Sequence, residues 1–109
     1  MIDWDRVANL RAEIGAEDFA EVAEMFLDEA DEVVARLRAG GPGPELEAEL
    51  HFLKGSALNL GFDDLATLCN DGEKRAAGGG TVDVARVIQC YAASRSAFAA
   101  GPAARTSAA

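Results

Sequence analysis

Several residue types that mark particular classes of protein are scarce in this chain of 109 residues. The two cysteines, Cys69 and Cys90, lack the short spacing of a metal site, so we expect two reduced, mostly buried thiols. Only 10 Lys and Arg residues stand against 19 Asp and Glu residues, and this net charge of -9 argues against binding to nucleic acids or anionic membranes. No run approaches the roughly 20 apolar residues of a membrane span, and the amino terminus lacks the features of a signal peptide. A cytoplasmic protein of one domain is therefore predicted.

Glycine and proline divide the chain into segments with helical periodicity. Loops are predicted at 40–44 and 78–80, and Gly61 makes a shorter break, after which Asp63 is expected to cap a helix. Thr81 is expected to cap the last helix. Between the breaks, apolar residues recur every three or four positions, as in helices that pack by one face. The four stripes are Phe19, Val22, Phe26, Ala30, Val33 and Leu37, then Leu46, Leu50, Leu53, Ala57 and Leu60, then Leu65, Leu68, Gly72 and Ala76, and finally Val84, Val87, Ile88, Tyr91 and Phe98.

The four stripes, with a short helix around residues 5–14, predict an all-α fold. Short connections favour an antiparallel up-down-up-down four-helix bundle with a short N-terminal helix. The bundle domain is assigned to residues 1–100, and residues 101–109 are expected to form a disordered tail. A monomer is expected, because no apolar stripe is left without a place in the core.

The first long helix carries many carboxylates, which we interpret as a solvated outer face. A carboxylate metal site would need inward-facing Glu side chains and a Glu-x-x-His pattern from the partner helices. The only histidine, His51, has Leu50 and Phe52 beside it instead. No metal site is therefore predicted.

His51 lies in the run HFLKGSALNLG, residues 51–61, inside the second bundle helix. On a helical wheel of about 100° per residue, His51 points roughly 140° away from the core stripe and so towards solvent. Lys54 and Gly55 are its neighbours one turn along the helix. A glycine here costs about 1 kcal/mol relative to alanine, so we expect Gly55 to leave space in which a bulky partner can reach the imidazole.

Phe52 and Leu58 are apolar residues off the core stripe, and they flank His51. We expect them to form a docking patch for a partner, although Phe52 could instead pack under the N-terminal helix. A neutral, exposed imidazole has a nitrogen lone pair and is a competent nucleophile for phosphoryl transfer. Lys54 would offset the charge of a phosphoryl group on His51. The sequence has no Gly-rich phosphate loop and no carboxylate cluster for Mg²⁺ beside the histidine, so a partner would supply the donor and the metal.

Residues 51–61 resemble the signature of histidine-containing phosphotransfer (HPt) domains, which is His-x-x-Lys-Gly-Ser-Ser/Ala with Asn and Gly beyond it. The resemblance extends to residues 18–27 and 65–73. It implies that His51 reversibly accepts a phosphoryl group from a receiver-domain aspartate and passes it to another. It further implies that Lys54 assists electrostatically, that Gly55 keeps the site open, and that Ser56 helps to orient it.

Ser56 could equally bond to its own helix backbone. The partners that the resemblance implies are response-regulator receiver domains, which bring Mg²⁺, and a hybrid sensor histidine kinase. Gly72 departs from the family, which usually has a large apolar residue there, and is expected to loosen the third bundle helix.

Two other functions are compatible with the sequence. The chain could be an interaction module that binds a receiver or a kinase without accepting phosphate, although such a module need not keep His51 and Lys54. It could also be a histidine kinase fragment with its own ATP site, in which case ATP and Mg²⁺ alone would phosphorylate it. The phosphoryl carrier without kinase activity of its own is the leading hypothesis.

Overall fold

The computed structural model describes residues 2–40 and 45–101. This part of the chain forms five helices, which are α1 (Trp4–Ile14), α2 (Ala16–Gly40), α3 (Leu46–Leu60), α4 (Asp63–Ala77) and α5 (Val84–Ala100). It contains no strand, and one isolated antiparallel bridge joins Ile2 to Phe62. The predicted all-α class is confirmed. Most of the first predicted loop and residues 102–109 of the predicted tail lie outside the described residues.

The helices α2 to α5 contact one another in a closed ring. Helix α3 packs against α4 and α2, both α2 and α4 contact α5, and α1 lies against α2. Their apolar stripes meet in one core cluster, in which Leu50, Leu53 and Leu65 are completely buried. The ring fits a helical bundle, and the antiparallel up-down-up-down order stays a prediction. None of the described helices is long and apolar enough to cross a membrane.

Two predicted helix caps are wrong. Helix α5 begins at Val84, and its N-cap is Asp83, whose Oδ1 accepts a hydrogen bond from the Arg86 backbone N–H at 3.1 Å. Thr81 lies outside the helix. Asp63 is the first residue of α4 and not its cap.

Gly61 ends α3 in the left-handed conformation, with a φ of 75°. The N-terminal segment crosses this end of the helix, and the Asp3 backbone N–H donates a hydrogen bond of 2.7 Å to the Gly61 carbonyl oxygen. A Cβ at Gly61 would lie 2.9 Å from both the Asp3 carbonyl oxygen and Val7 Cγ2. Both the conformation and the crossing therefore require glycine.

Gly72 allows α4 to approach α3 closely. A Cβ at this position would lie 3.1 Å from Leu50 Cδ1 on α3 and 3.2 Å from Val82 Cγ1. A large apolar side chain would therefore not fit between these helices. The expectation that Gly72 loosens the helix is wrong, because the missing side chain is what permits the packing.

A polar cluster joins α2 to α5 at the edge of the core. Arg95 donates two hydrogen bonds to Asp31, Nε to Oδ1 at 3.0 Å and Nη2 to Oδ2 at 2.9 Å. The Tyr91 hydroxyl contacts the same carboxylate and the Leu27 carbonyl oxygen. Mainly through its hydrogen bonds, Arg95 lowers the pKa of Asp31. The cluster is thus held together by an ionised carboxylate.

Both cysteines are free, as predicted. Cys69 is buried and Cys90 is partly buried. Burial raises the pKa of Cys69 to about 12. The Cys69 thiol is therefore protonated at neutral pH and is a weak nucleophile.

Candidate functional site

His51 stands on the exposed side of α3, as the helical wheel predicts. Its side chain is 68% exposed. An added Cβ at Gly55, one turn further along, would have no neighbouring atom within 4 Å. One side of the imidazole is therefore open to an approaching molecule.

The other side of the imidazole contacts a residue that the sequence analysis missed. Nδ1 of His51 lies 2.7 Å from Oε1 of Glu73 on α4. The second oxygen of the same carboxylate, Oε2, lies 2.8 Å from Nζ of Lys54. Glu73 thus binds the histidine and the lysine at once and fixes them against α4.

A signal for Glu73 was present in the sequence but was weak. Glu73 is four residues beyond Cys69 and next to Gly72, so it lies at the edge of the buried face of α4. A carboxylate at such an edge needs a partner, because burying it without one is costly. Which partner it meets depends on how α4 is aligned with α3, and periodicity along one helix does not contain that information.

The electrostatics of this contact determine which imidazole nitrogen carries a lone pair. The hydrogen bond from Lys54, followed by that from His51, lowers the pKa of Glu73. An ionised carboxylate only accepts hydrogen bonds, so Nδ1 of a neutral His51 must carry the hydrogen. The lone pair then lies on Nε2, the nitrogen that does not contact Glu73.

The remaining predicted site residues, Phe52, Leu58 and Ser56, have different surroundings on α3. Phe52 is 42% exposed and lines a groove of 570 Å³ between α2 and α3. Phe52 therefore lies beside α2, and the alternative that it packs under α1 is wrong. Leu58 is 45% exposed, and its carbonyl oxygen accepts a hydrogen bond from Arg6 Nε on α1. Ser56 is 3% exposed, so its side chain does not share the open face with His51, and its orienting role stays a prediction.

The arrangement supplies a nucleophile and the group that orients it. A ring nitrogen with a free lone pair, held by a hydrogen bond from its other nitrogen to a carboxylate, is the usual form of an activated histidine. Among residues 2–40 and 45–101, no group of three or more His, Cys, Asp or Glu side chains is placed to hold a metal ion.

Comparison with known proteins identifies a family for this chain. Residues 21–97 match the family model described as the Hpt domain, a range that includes His51, Lys54, Gly55 and Glu73. Neither the curated proteins nor the solved structures give a match. Hpt domains are helical bundles that act in phosphorelays, where they interact with receiver domains and kinases. Because the match covers most of its length, the chain belongs to the Hpt domain family.

Proposed function

We propose that the protein carries phosphoryl groups between receiver domains, with Nε2 of His51 as the acceptor. The observation that supports this most directly is the 2.7 Å contact between His51 Nδ1 and Glu73, which leaves the lone pair on the exposed nitrogen. The partners are response-regulator receiver domains and a hybrid sensor histidine kinase. Part of this proposal is that the bundle is antiparallel, monomeric and cytoplasmic.

The transfer needs no base to remove a proton from the nucleophile. The Nε2 lone pair attacks the phosphorus of an aspartyl phosphate on the receiver, and the bond between phosphorus and the aspartate oxygen breaks. The proton on Nδ1 stays in place, so the phosphorylated ring is cationic and faces the Glu73 carboxylate. Stabilising that cation favours acceptance, and a protonated ring is also the better leaving group when the phosphoryl group moves on.

The other site residues assist in different ways. Lys54 keeps Glu73 ionised and, because it binds the same carboxylate as His51, would offset charge on the phosphoryl oxygens. Gly55 leaves the approach to Nε2 unobstructed. Mg²⁺, supplied by the receiver, would neutralise part of the phosphoryl charge during transfer. Ser56, buried behind the histidine, would act through the packing of α3.

The first experiment uses the fact that His51 is the only histidine in the chain. Incubation with a labelled phosphoreceiver should give one acid-labile, alkali-stable phosphoryl group, and the His51→Gln variant should take up none. Uptake of label by that variant would refute the proposal. Gly55→Gln should slow transfer by blocking the approach, while circular dichroism shows an intact helical fold.

Two alternative functions predict different results. An interaction module would bind the receiver without becoming labelled. A kinase fragment would become labelled with ATP and Mg²⁺ in the absence of any receiver. We expect labelling by a phosphoreceiver and none by ATP and Mg²⁺ alone.

The role of Glu73 can be tested by NMR, because the single histidine gives one pair of ring ¹⁵N signals. In the wild type we expect the hydrogen on Nδ1. Glu73→Ala should shift the population towards hydrogen on Nε2 and slow transfer about tenfold or more. Glu47→Gln is the matched control, because Glu47 is an exposed carboxylate one turn before His51 and contacts neither ring nitrogen. An unchanged tautomer in Glu73→Ala would refute this role.

A further inference from the structure

A groove between α2 and α3 begins beside the phosphoacceptor and contains an incompletely paired carboxylate. Its lining includes Phe52 and Glu49 from α3 and Val33 and Arg36 from α2. The side chain of Glu49 is 19% exposed, and its Oε2 is buried and accepts no hydrogen bond from any described residue. Nε of Arg36 lies 3.5 Å from this oxygen, and the Arg36 side chain is itself 57% exposed.

A carboxylate held in this way favours binding of an additional cation. An exposed arginine at 3.5 Å from Glu49 gives weak, screened attraction, and a buried carboxylate oxygen gains most from a direct hydrogen-bond donor. Three more exposed carboxylates, Glu29, Glu32 and Glu45, line the same groove. The groove therefore combines an exposed aromatic ring with an excess of negative charge.

The position of the groove on the α3 wheel connects it to the nucleophile. Relative to His51, Phe52 lies about 100° and Glu49 about 160° round the helix towards α2, while Lys54 lies about 60° round it the other way, towards α4. The sector between His51 and Phe52 holds Asn59 two turns beyond the histidine and, within one turn of it, the two small residues Ala48 and Gly55. A partner seated in the groove can thus extend over these two residues to Nε2 without meeting a large side chain.

We propose that this groove is the specificity-determining contact for the receiver domain, which inserts a Lys or Arg side chain that hydrogen-bonds Glu49 while an apolar side chain packs on Phe52. The inference rests on the proposed carrier function and adds the chemistry of the partner. Receivers with a basic and an apolar residue beside their aspartate site would exchange phosphoryl groups with His51. Receivers with an acidic residue at that place would be rejected by charge repulsion.

The test compares Glu49→Gln and Phe52→Ala with a matched control, Glu24→Gln. Glu24 is an exposed carboxylate on α2 that lines a different groove, beside α1 and α5. The receiver is the one that exchanges fastest with the wild type among the receiver domains of the source genome. Each rate is divided by the labelling rate of the same variant with phosphoramidate, a small phosphoryl donor that needs no docking surface.

We expect Glu49→Gln and Phe52→Ala each to raise the half-saturating receiver concentration about tenfold, with the maximal rate within about twofold of wild type. Glu24→Gln should change neither value by more than about twofold. Raising the salt concentration should weaken wild-type docking more than docking of Glu49→Gln. Half-saturating concentrations within twofold of wild type for both groove variants would overturn the proposal.

Two further outcomes distinguish the groove proposal from failure of the carrier function and from self-association of the chain. If neither phosphoramidate nor any phosphoreceiver labels His51, the carrier function itself fails and the groove proposal fails with it. If His51 is labelled but sedimentation shows a dimer that Glu49→Gln dissociates, the groove is filled by a second copy of the chain. That result would overturn the receiver as its occupant and leave the carrier function standing.

Discussion

Two glycines in helix interiors, Gly55 on α3 and Gly72 on α4, should respond in opposite directions to replacement by alanine. A Cβ at Gly55 would have no neighbouring atom within 4 Å, whereas one at Gly72 would lie 3.1 Å from Leu50 Cδ1 and 3.2 Å from Val82 Cγ1. Leu50 is completely buried and so has little freedom to withdraw. The same substitution therefore adds a favourable helix residue at one site and an overpacked contact at the other.

The magnitudes follow from these two effects. Alanine gains about 1 kcal/mol over glycine in a helix interior, and Gly55→Ala should realise about 0.5–1 kcal/mol of that as a higher free energy of unfolding. At Gly72 the same gain is opposed by overpacking of about 1–3 kcal/mol. We therefore expect Gly72→Ala to lower the free energy of unfolding by about 0–2 kcal/mol, so that the two variants differ by about 0.5–3 kcal/mol.

Urea unfolding followed by circular dichroism measures both changes, and equal m-values would show that only stability has changed. A second measurement uses the neighbour of Gly72. Because Glu73 is the next residue, pushing α4 away from α3 should lengthen its contact with His51 and shift the ring ¹⁵N signals in Gly72→Ala alone. If Gly72→Ala stabilises the protein as much as Gly55→Ala and leaves those signals unchanged, the close approach of α4 to α3 is refuted.

Three other predictions concern stability, each measured by urea unfolding. Asp31→Asn should cost about 1 kcal/mol at pH 7, a value kept small because Asp31 and Arg95 are partly exposed. Because Arg95 lowers the folded-state pKa of Asp31, this contribution is complete above the unfolded pKa of about 3.9 and is lost as the pH falls through the folded value. An equal cost at pH 7 and pH 2 would contradict it. Asp83→Ala should lower the free energy of unfolding by about 1 kcal/mol through loss of the α5 cap, while Thr81→Ala should change it little. Equal effects of the two substitutions would refute Asp83 as the cap. Gly61→Ala should cost about 1–3 kcal/mol, because it forces a side chain into a left-handed conformation against the N-terminal segment, and a neutral result would refute that crossing.

The helices could be predicted because their apolar spacing is local information, but the start of α5 could not. The sequence predicts Thr81 as the cap, although Asp83 is a residue type that is at least as good at this position. The structure places Val82 against the backbone of Gly72, where a Cβ would lie 3.2 Å from Val82 Cγ1. This contact between α4 and the segment before α5 accompanies a helix start at Val84, directly after Asp83.

The same distinction explains which parts of the site could be predicted. His51, Lys54 and Gly55 lie within one turn of α3, so a helical wheel places them correctly relative to one another. Glu73 is 22 residues away from His51 along the chain. Its contact exists only because α3 and α4 pack in one particular register, which is a tertiary property. The sequence therefore placed His51 on the exposed face correctly and missed the carboxylate that it contacts.

The two helical glycines, Gly55 and Gly72, differ in whether the folded chain compensates for their cost. Each is unfavourable by about 1 kcal/mol relative to alanine, a substantial part of a domain's marginal stability. Gly72 recovers that cost through packing, because its missing side chain lets α4 approach closely and so brings Glu73 within 2.7 Å of His51 Nδ1. Gly55 recovers nothing within the folded chain, since an alanine there would meet no neighbour. An uncompensated cost beside an exposed nucleophile is expected at a functional position. Under the proposed function, the partner that has to reach Nε2 accounts for Gly55. Replacement of Gly55 should therefore raise stability and, with a bulky side chain, slow transfer.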